Sequence, residues 1–162
     1  MIKSNGKLRT GVIGTGHMGK YHVNVLSGLN SEEHQLIGIY DVNTEGARNV
    51  AKQFHLKAFD SIGELLDNCD AVTIAVPTVG HYEIAKEALN RGCHVLIEKP
   101  ITPSVEQAIE LMELAKKKGR ILQVGHVERF NGAVIELNKI VSRPIFIETK
   151  RLAPFSGRIQ DA

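Results

Sequence analysis

Residue types that mark particular classes of protein are scarce in this chain of 162 residues, which has no tryptophan and only two cysteines. Two cysteines cannot form a disulfide framework, and Cys69 and Cys93 do not have the spacing of metal ligands. Both stand beside apolar runs, so we expect buried, reduced thiols in a cytoplasmic protein and no metal site. The longest apolar runs have about six residues, far fewer than the ~20 of a membrane span. The first six residues have no apolar stretch typical of a signal peptide.

An excess of charge of one sign is also missing. The 20 Lys and Arg residues stand against 18 Asp and Glu, which leaves a formal net charge of +2. Such a balance gives no field that would attract nucleic acid or a membrane surface. The one basic run, Lys116–Arg120, is typical of the last turn of a helix, where cations complement the helix dipole. We therefore expect neither nucleic acid nor a membrane as a partner.

Short apolar runs alternate with segments of helical periodicity along most of the chain. The apolar runs predict strands, at Leu8–Ile13, Gln35–Tyr40, Ala71–Val76, His94–Ile97 and Ile121–Val124. The periodic segments predict helices, at Met18–Leu26, Thr44–Phe54, Ile62–Leu66, Ile84–Leu89, Ser104–Lys118 and Ala133–Ile140. Several strands are apolar on both faces, which favours a parallel sheet covered by helices on each side. The alternation predicts an α/β fold with a doubly wound parallel sheet.

A glycine-rich turn follows the first predicted strand and opens the first predicted helix. Its pattern, G-x-G-x-x-G, is typical of a turn that binds the pyrophosphate of a dinucleotide. The first glycine allows the tight turn, the second lets the backbone approach the phosphates, and the third lets the helix pack closely. Glycine turns also occur as plain tight loops. The position of this turn between a predicted strand and a predicted helix is what favours dinucleotide binding. We expect the cofactor to contact Gly14, Thr15, Gly16, His17, Met18 and Gly19.

An acidic residue, Asp41, ends the second predicted strand, 22 residues after Gly19. A carboxylate in this place accepts hydrogen bonds from the ribose hydroxyls of adenosine. It also repels a 2′-phosphate, and the nearest arginine, Arg48, stands about two helical turns away, so we expect NAD rather than NADP. The alternative is that Asp41 only caps the helix that begins near Thr44.

Three further polar segments follow predicted strands, where open α/β sheets bind their ligands. They are Ala75–Tyr82, Glu98–Pro103 and Gln123–Asn131. Each taken alone fits a plain loop, since proline is common in turns and Glu98 beside Lys99 also fits a surface pair. Three such segments behind a nucleotide-binding turn indicate a ligand site.

With these motifs the sequence resembles the glucose-fructose oxidoreductase, inositol dehydrogenase and rhizopine-catabolism family of NAD(P)-dependent oxidoreductases. The matches are the glycine turn, Asp41, Val76–Ala85 and Glu98–Pro100, within a resemblance that runs from about Leu8 to Arg151. The resemblance implies a Rossmann domain and hydride transfer between NAD and a CH–OH group of a sugar or nucleotide-sugar. The run Gly125–Asn131 looks most like members that oxidise UDP-N-acetyl-hexosamines at C3.

The resemblance also implies roles for single residues. Lys99 is the expected catalytic residue, since an ammonium near the reacting hydroxyl stabilises a developing alkoxide or assists proton transfer. The nicotinamide side of the cofactor site is expected to include Val76, Pro77, Thr78, His81, Glu98 and Lys99. His126 and Arg129 are expected to face the substrate, with Arg129 suited to a phosphate. Plain alternatives remain for two of them, with His81 as an ordinary helix residue and His126 as a loop histidine. The side chains of the other histidines carry no motif, and we expect structural or surface roles for those of His17, His22, His34, His55 and His94.

Members of this family continue into a second α/β domain that supplies most of the substrate pocket and the oligomer contacts. The strand predicted over Pro144–Arg151 looks like the first element of that domain. We therefore expect a dinucleotide-binding domain over residues 1–143 and the start of a truncated substrate and oligomerisation domain over 144–162, inactive alone and homo-oligomeric when full length. The other reading is a non-catalytic NAD-sensing module on the same fold, against which the retained Lys99 argues.

Overall fold

Six parallel strands form a single sheet in the first of two units of the chain. The computed structural model describes residues 6–29, 31–150 and 152. The first unit ends at Gly125, and the second begins at His126. The sheet has the order β3-β2-β1-β4-β5-β6, with β1 (Leu8–Ile13), β2 (His34–Tyr40), β3 (Lys57–Ala58), β4 (Ala71–Ile74), β5 (His94–Ile97) and β6 (Leu122–Val124). The strand order reverses between β1 and β4, which is the place where doubly wound sheets bind ligands.

Helices connect the strands and complete the first unit. They are α1 (His17–Gly28), α2 (Thr44–Phe54), α3 (Ile62–Asn68), α4 (His81–Asn90) and α5 (Val105–Lys118). The side chains of Asn43, Ser61 and Ser104 cap α2, α3 and α5 by accepting a hydrogen bond from a first-turn amide. α1 and α4 differ, because their N-cap residues are Gly16 and Gly80, which have no side chain with which to cap.

The apolar core consists of two clusters. Val12 and Ile13 are fully buried neighbours in β1, yet they belong to different clusters. Successive side chains of a strand point to opposite faces of the sheet, so the clusters cover its two faces. One includes residues of α1 and α2, and the other includes residues of α3, α4 and α5. The structure therefore confirms the predicted doubly wound α/β sheet, and Cys69 and Cys93 are buried as expected.

The second unit contains a 3₁₀ turn, Val127–Phe130, and the helix α6 (Gly132–Ile140). The strand predicted over Pro144–Arg151 is wrong for residues 144–150, which form no strand. A strand needs a neighbour for its amides and carbonyls, and in the part of the chain that the structure describes no strand pairs with this segment. Arg151 lies outside the described residues.

Within the part of the chain that the structure describes, none of the helices has the length and hydropathy that a membrane span requires.

Candidate functional site

The strands of the sheet end together at one edge. After four of the six strands, β1, β4, β5 and β6, the next residue donates a backbone hydrogen bond to the last carbonyl of the neighbouring strand. The donors and acceptors are Gly14 to Tyr40 (2.8 Å), Ala75 to Ile13 (2.8 Å), Glu98 to Ile74 (3.0 Å) and Gly125 to Ile97 (2.8 Å). This row places the glycine turn, the loop after β4 and the Glu98-Lys99-Pro100 segment side by side, although they are far apart in sequence.

Two glycines of the turn stand where no other residue fits. Gly14 has φ +91°, and a Cβ on it would lie 2.4 Å from the carbonyl oxygen of Ala75. A Cβ on Gly19 would lie 1.9 Å from the carbonyl oxygen of Gly14, so α1 packs directly against the turn. The structure thereby confirms the steric roles predicted for the first and third glycines of the motif.

The middle glycine of the motif faces open space. A Cβ on Gly16 would meet no described atom within 4 Å. Gly16 is also the N-cap of α1, so the space over it lies at the positive end of the helix dipole. His17 and Met18 follow in the first turn and are exposed, and the His17 ring packs edge-on against Tyr21. A dinucleotide pyrophosphate fits this cradle, because it needs backbone amides and no intervening side chain.

Asp41 stands beside this turn, at the end of β2. One of its carboxylate oxygens accepts hydrogen bonds from the amide and the hydroxyl of Thr15, at 2.5 and 2.9 Å. The other accepts from the amide of Asn43 at 2.8 Å. Asn43, rather than Asp41, supplies the side-chain cap of α2. A carboxylate offers about four acceptor positions, so three bonds still leave room for a ribose hydroxyl.

The loop after β4 is held by a buried histidine. His81 is 1% exposed, and its ring nitrogens lie 2.9 Å from the carbonyl oxygens of Val76 and Pro100. These contacts join the loop after β4 to the segment after β5. Pro77 is exposed and begins a short 3₁₀ turn, Thr78–Gly80. The geometry gives His81 a positioning role, and its direct contact with a cofactor stays a prediction.

The Glu98-Lys99-Pro100 segment follows β5. The side chain of Lys99 is exposed, whereas Glu98 is buried and lies 2.7 Å from Nε2 of His22 in α1. His22, for which the sequence predicts only a structural or surface role, thus contacts a residue of the candidate site. No local pattern could have revealed this pair, because the two residues are 76 positions apart in sequence.

His126 and Arg129 lie in the second unit. His126 begins the 3₁₀ turn Val127–Phe130, and its carbonyl accepts a hydrogen bond from the amide of Arg129 at 3.0 Å. Both residues are exposed. Their predicted contact with a substrate stays a prediction. Among the described residues, no group of three His, Cys, Asp or Glu side chains could hold a metal ion.

Several known proteins are similar to this chain in sequence and in fold. A UDP-N-acetylglucosamine 3-dehydrogenase of Acidithiobacillus ferrooxidans is 39% identical over 95% of this chain and 48% of its own length. Its crystal structure superposes with a TM-score of 0.78, covering 83% of this chain and 43% of that one. An inositol 2-dehydrogenase of Corynebacterium glutamicum is 34% identical over 83% of this chain and 41% of its own length.

A third similar protein was solved with its cofactor. The structure of GenD2 from gentamicin A biosynthesis, in complex with NAD, is 25% identical, with a TM-score of 0.78 over 84% of this chain and 39% of that one. The chain thus spans about half or less of the length of the relatives it matches.

Residues 8–126 match the oxidoreductase family with an NAD-binding Rossmann fold that is named for glucose-fructose oxidoreductase, inositol dehydrogenase and rhizopine catabolism. The chain belongs to this family, as its motifs predict. NAD is the cofactor that this fold binds.

Proposed function

We propose that this chain carries the NAD-binding part of a dehydrogenase that acts on a CH–OH group of a sugar or nucleotide-sugar. The row of strand ends supports this proposal most directly, because it brings the glycine turn and Lys99 to the same edge of the sheet. NAD, when bound, takes up the hydride that leaves the carbon of the hydroxyl. The residues of the chain bind and orient the reactants, carry the proton of the hydroxyl and stabilise the negative charge that develops on its oxygen.

The two ends of the dinucleotide are proposed to contact different elements. The pyrophosphate lies over Gly16, where the helix dipole and the backbone amides stabilise its charge. The adenosine ribose contacts Asp41, which favours NAD because a 2′-phosphate would meet a carboxylate. The nicotinamide lies toward Val76–Thr78 and the segment after β5. These assignments follow from the order of the elements along the sheet edge.

Lys99 is the proposed catalytic residue. Its side chain is exposed at the end of β5, so the ammonium can reach a substrate that lies over the strand ends. A positive charge there stabilises an alkoxide as the hydroxyl loses its proton, and the amine can also carry that proton. A protein that only sensed NAD would gain nothing from this arrangement.

The proposed substrate class is a hexose derivative, and within it we favour a nucleotide-sugar. The UDP-N-acetylglucosamine 3-dehydrogenase noted above supports this choice over most of the chain. Arg129 is exposed and carries a guanidinium, whose planar donors suit a diphosphate. His126, at the start of the same turn, is proposed to contact the sugar.

We propose the following division of the chain: residues 1–143 form the dinucleotide-binding domain, and residues 144–162 are the start of a substrate and oligomerisation domain. It predicts that NAD raises the melting temperature of the 162-residue chain, while no NADH forms with any sugar or nucleotide-sugar. Steady NADH formation by this chain would overturn the division.

Gly16 allows a direct test of the cofactor site. Gly16→Ala places a methyl group in open space of the free protein, at φ −65°, so the fold should not change. The same methyl would occupy the space of the pyrophosphate, so NAD affinity should fall by about tenfold or more. Gly28→Ala, in the same helix and also facing open space, is the matched control and should bind NAD normally. Equal NAD binding by both variants, measured by calorimetry, would contradict the proposed site.

A further inference from the structure

The carboxylate of Glu98 joins two parts of the sheet edge that the sequence keeps far apart. Its Oε1 lies 2.7 Å from Nε2 of His22, in the second turn of α1. Its Oε2 accepts a hydrogen bond from the backbone amide of Lys99 at 3.3 Å. The side chain of Glu98 therefore connects the helix that begins at the glycine turn with the backbone of the exposed lysine.

Burial makes this connection stiff. The side chains of His22 and Glu98 are only 17% and 9% exposed. On the side of β6, a Cβ on Gly125 would lie 3.1 Å from Oε1 of Glu98, so the carboxylate packs close to the backbone of Gly125. A buried carboxylate without a donor is costly, and His22 supplies that donor. The pair is thus a fixed contact between α1 and the start of the Glu98-Lys99-Pro100 segment.

A second contact fixes the same N-terminal half of α1. Gly19 packs against the carbonyl of Gly14, three residues before His22. The first two turns of α1 are therefore anchored both to the glycine turn and to the segment that carries Lys99.

We propose that His22 is a positioning residue for Lys99 and acts through Glu98. The inference rests on the proposed function, in which Lys99 lies near the nicotinamide. His22 touches neither cofactor nor substrate in this arrangement. It holds the Glu98 carboxylate, which holds the backbone of Lys99, and so it fixes where the ammonium stands relative to a dinucleotide bound at the glycine turn.

The charge of the nicotinamide ring gives this role a specific readout. The oxidised ring of NAD carries a positive charge and the reduced ring of NADH does not, so a fixed ammonium nearby favours NADH. Loss of the His22–Glu98 contact lets the ammonium move away from the nicotinamide ring, and the preference for NADH should fall by about threefold. ADP-ribose, which lacks the nicotinamide, should bind as before. A role in folding alone would not separate these three ligands.

The test compares variants of His22 in the 162-residue chain. His22→Leu removes the donor to Glu98, whereas His22→Gln keeps an amide donor near the position of Nε2. We expect His22→Leu to lower the NADH preference and to speed hydrogen exchange at the amide of Lys99, and His22→Gln to restore both. Asn24→Leu, on the exposed side of the same helix, is the matched control and should change neither. If His22→Leu does not fold, His22→Asn replaces it, since its shorter amide does not reach Glu98.

The outcomes separate the two proposals. An unmutated chain that binds neither NAD nor NADH overturns the proposed function and the positioning role with it. A chain that binds both, with the same NADH preference in a folded His22→Leu or His22→Asn variant, overturns the positioning role alone. A lowered preference in His22→Gln as well would assign the effect to the charge of the histidine and would also overturn positioning.

Discussion

Thr15 donates two hydrogen bonds to one oxygen of Asp41, one from its backbone amide and one from its hydroxyl. The residue proposed to select the cofactor therefore also holds the turn proposed to bind its phosphates. Thr15 is buried, so these bonds are shielded from competing water. Specificity for the ribose and the shape of the glycine turn thus depend on the same carboxylate.

Replacement of Asp41 should change both cofactor preference and stability. The unmutated chain should bind NAD more tightly than NADP, and Asp41→Ala should narrow the difference by about 1–2 kcal/mol, the value of a charge-assisted hydrogen bond. The variant should also unfold at lower urea concentration, because Thr15 loses its acceptor. Thr15→Val separates the effects, since it removes one donor and keeps the carboxylate, so its preference for NAD should persist. Equal affinities for NAD and NADP in the unmutated chain would refute the role of Asp41.

Two glycines of α1 should respond oppositely to the same substitution. Gly19→Ala forces a methyl group against the carbonyl of Gly14, which should lower the free energy of unfolding by about 2 kcal/mol or more. Gly28→Ala meets open space, and because alanine is the better helix former it should raise the free energy of unfolding by about 0.5 kcal/mol. Urea unfolding of both variants measures the two effects. A Gly19→Ala protein as stable as the unmutated chain would mean that α1 packs less closely than the structure shows.

His94 should make stability depend on pH. Burial, and after it the positive charge of Arg120, lowers the pKa of His94 from its ordinary value of 6.5. The ring also accepts a hydrogen bond at Nδ1 from the amide of Ile121, at 2.9 Å, which requires that nitrogen to be unprotonated. As the pH falls through 6.5, His94 takes up a proton in the unfolded chain but stays neutral in the folded chain. The free energy of unfolding should therefore decrease.

A variant of His94 isolates this contribution. His94→Asn keeps an acceptor near the position of Nδ1 and cannot titrate, so its free energy of unfolding should decrease less between pH 7.5 and pH 5.5. Urea unfolding of both proteins at each pH measures the difference, in which the contributions of the other titrating groups cancel. Identical pH profiles would mean that His94 is protonated as readily in the folded chain as in the unfolded one.

The sequence predicts five of the six strands, because each of these five has a local signal. The predicted limits of β1 and β5 agree with the structure to the residue, since Gly14 ends the first run and Glu98 ends the second. β3 was not predicted, because its two residues, Lys57 and Ala58, are too short a run to show any pattern. α4 begins at His81, three residues before the predicted start, because the turn Thr78–Gly80 leads directly into it.

The candidate site was predictable only where its residues form a motif. The distance along the sequence between the glycine turn and Asp41 is typical of dinucleotide-binding folds. In the structure Thr15 of the turn contacts Asp41. The His22–Glu98 pair depends on how α1 packs over the end of β5, and no spacing along the chain encodes that distance. Likewise, the apolar alternation after Pro144 predicted a strand, but a strand also requires a neighbour, and local sequence does not show whether one exists.

Lys99 should alter the balance between the two redox states of the cofactor more than the stability of the protein. Its side chain is exposed, so Lys99→Met should change the free energy of unfolding by less than about 0.5 kcal/mol. An ammonium beside the nicotinamide repels the positive ring of NAD and not the neutral ring of NADH. Removal of the ammonium should therefore tighten the binding of NAD relative to NADH by about fivefold, or roughly 1 kcal/mol for charges a few ångströms apart in a solvent-exposed site.

Lys116→Met removes another exposed lysine, in the last turn of α5, and is the matched control. Titration of both nucleotides against the three proteins measures the ratio, and an unchanged ratio in Lys99→Met would place Lys99 away from the nicotinamide and remove its proposed part in the chemistry.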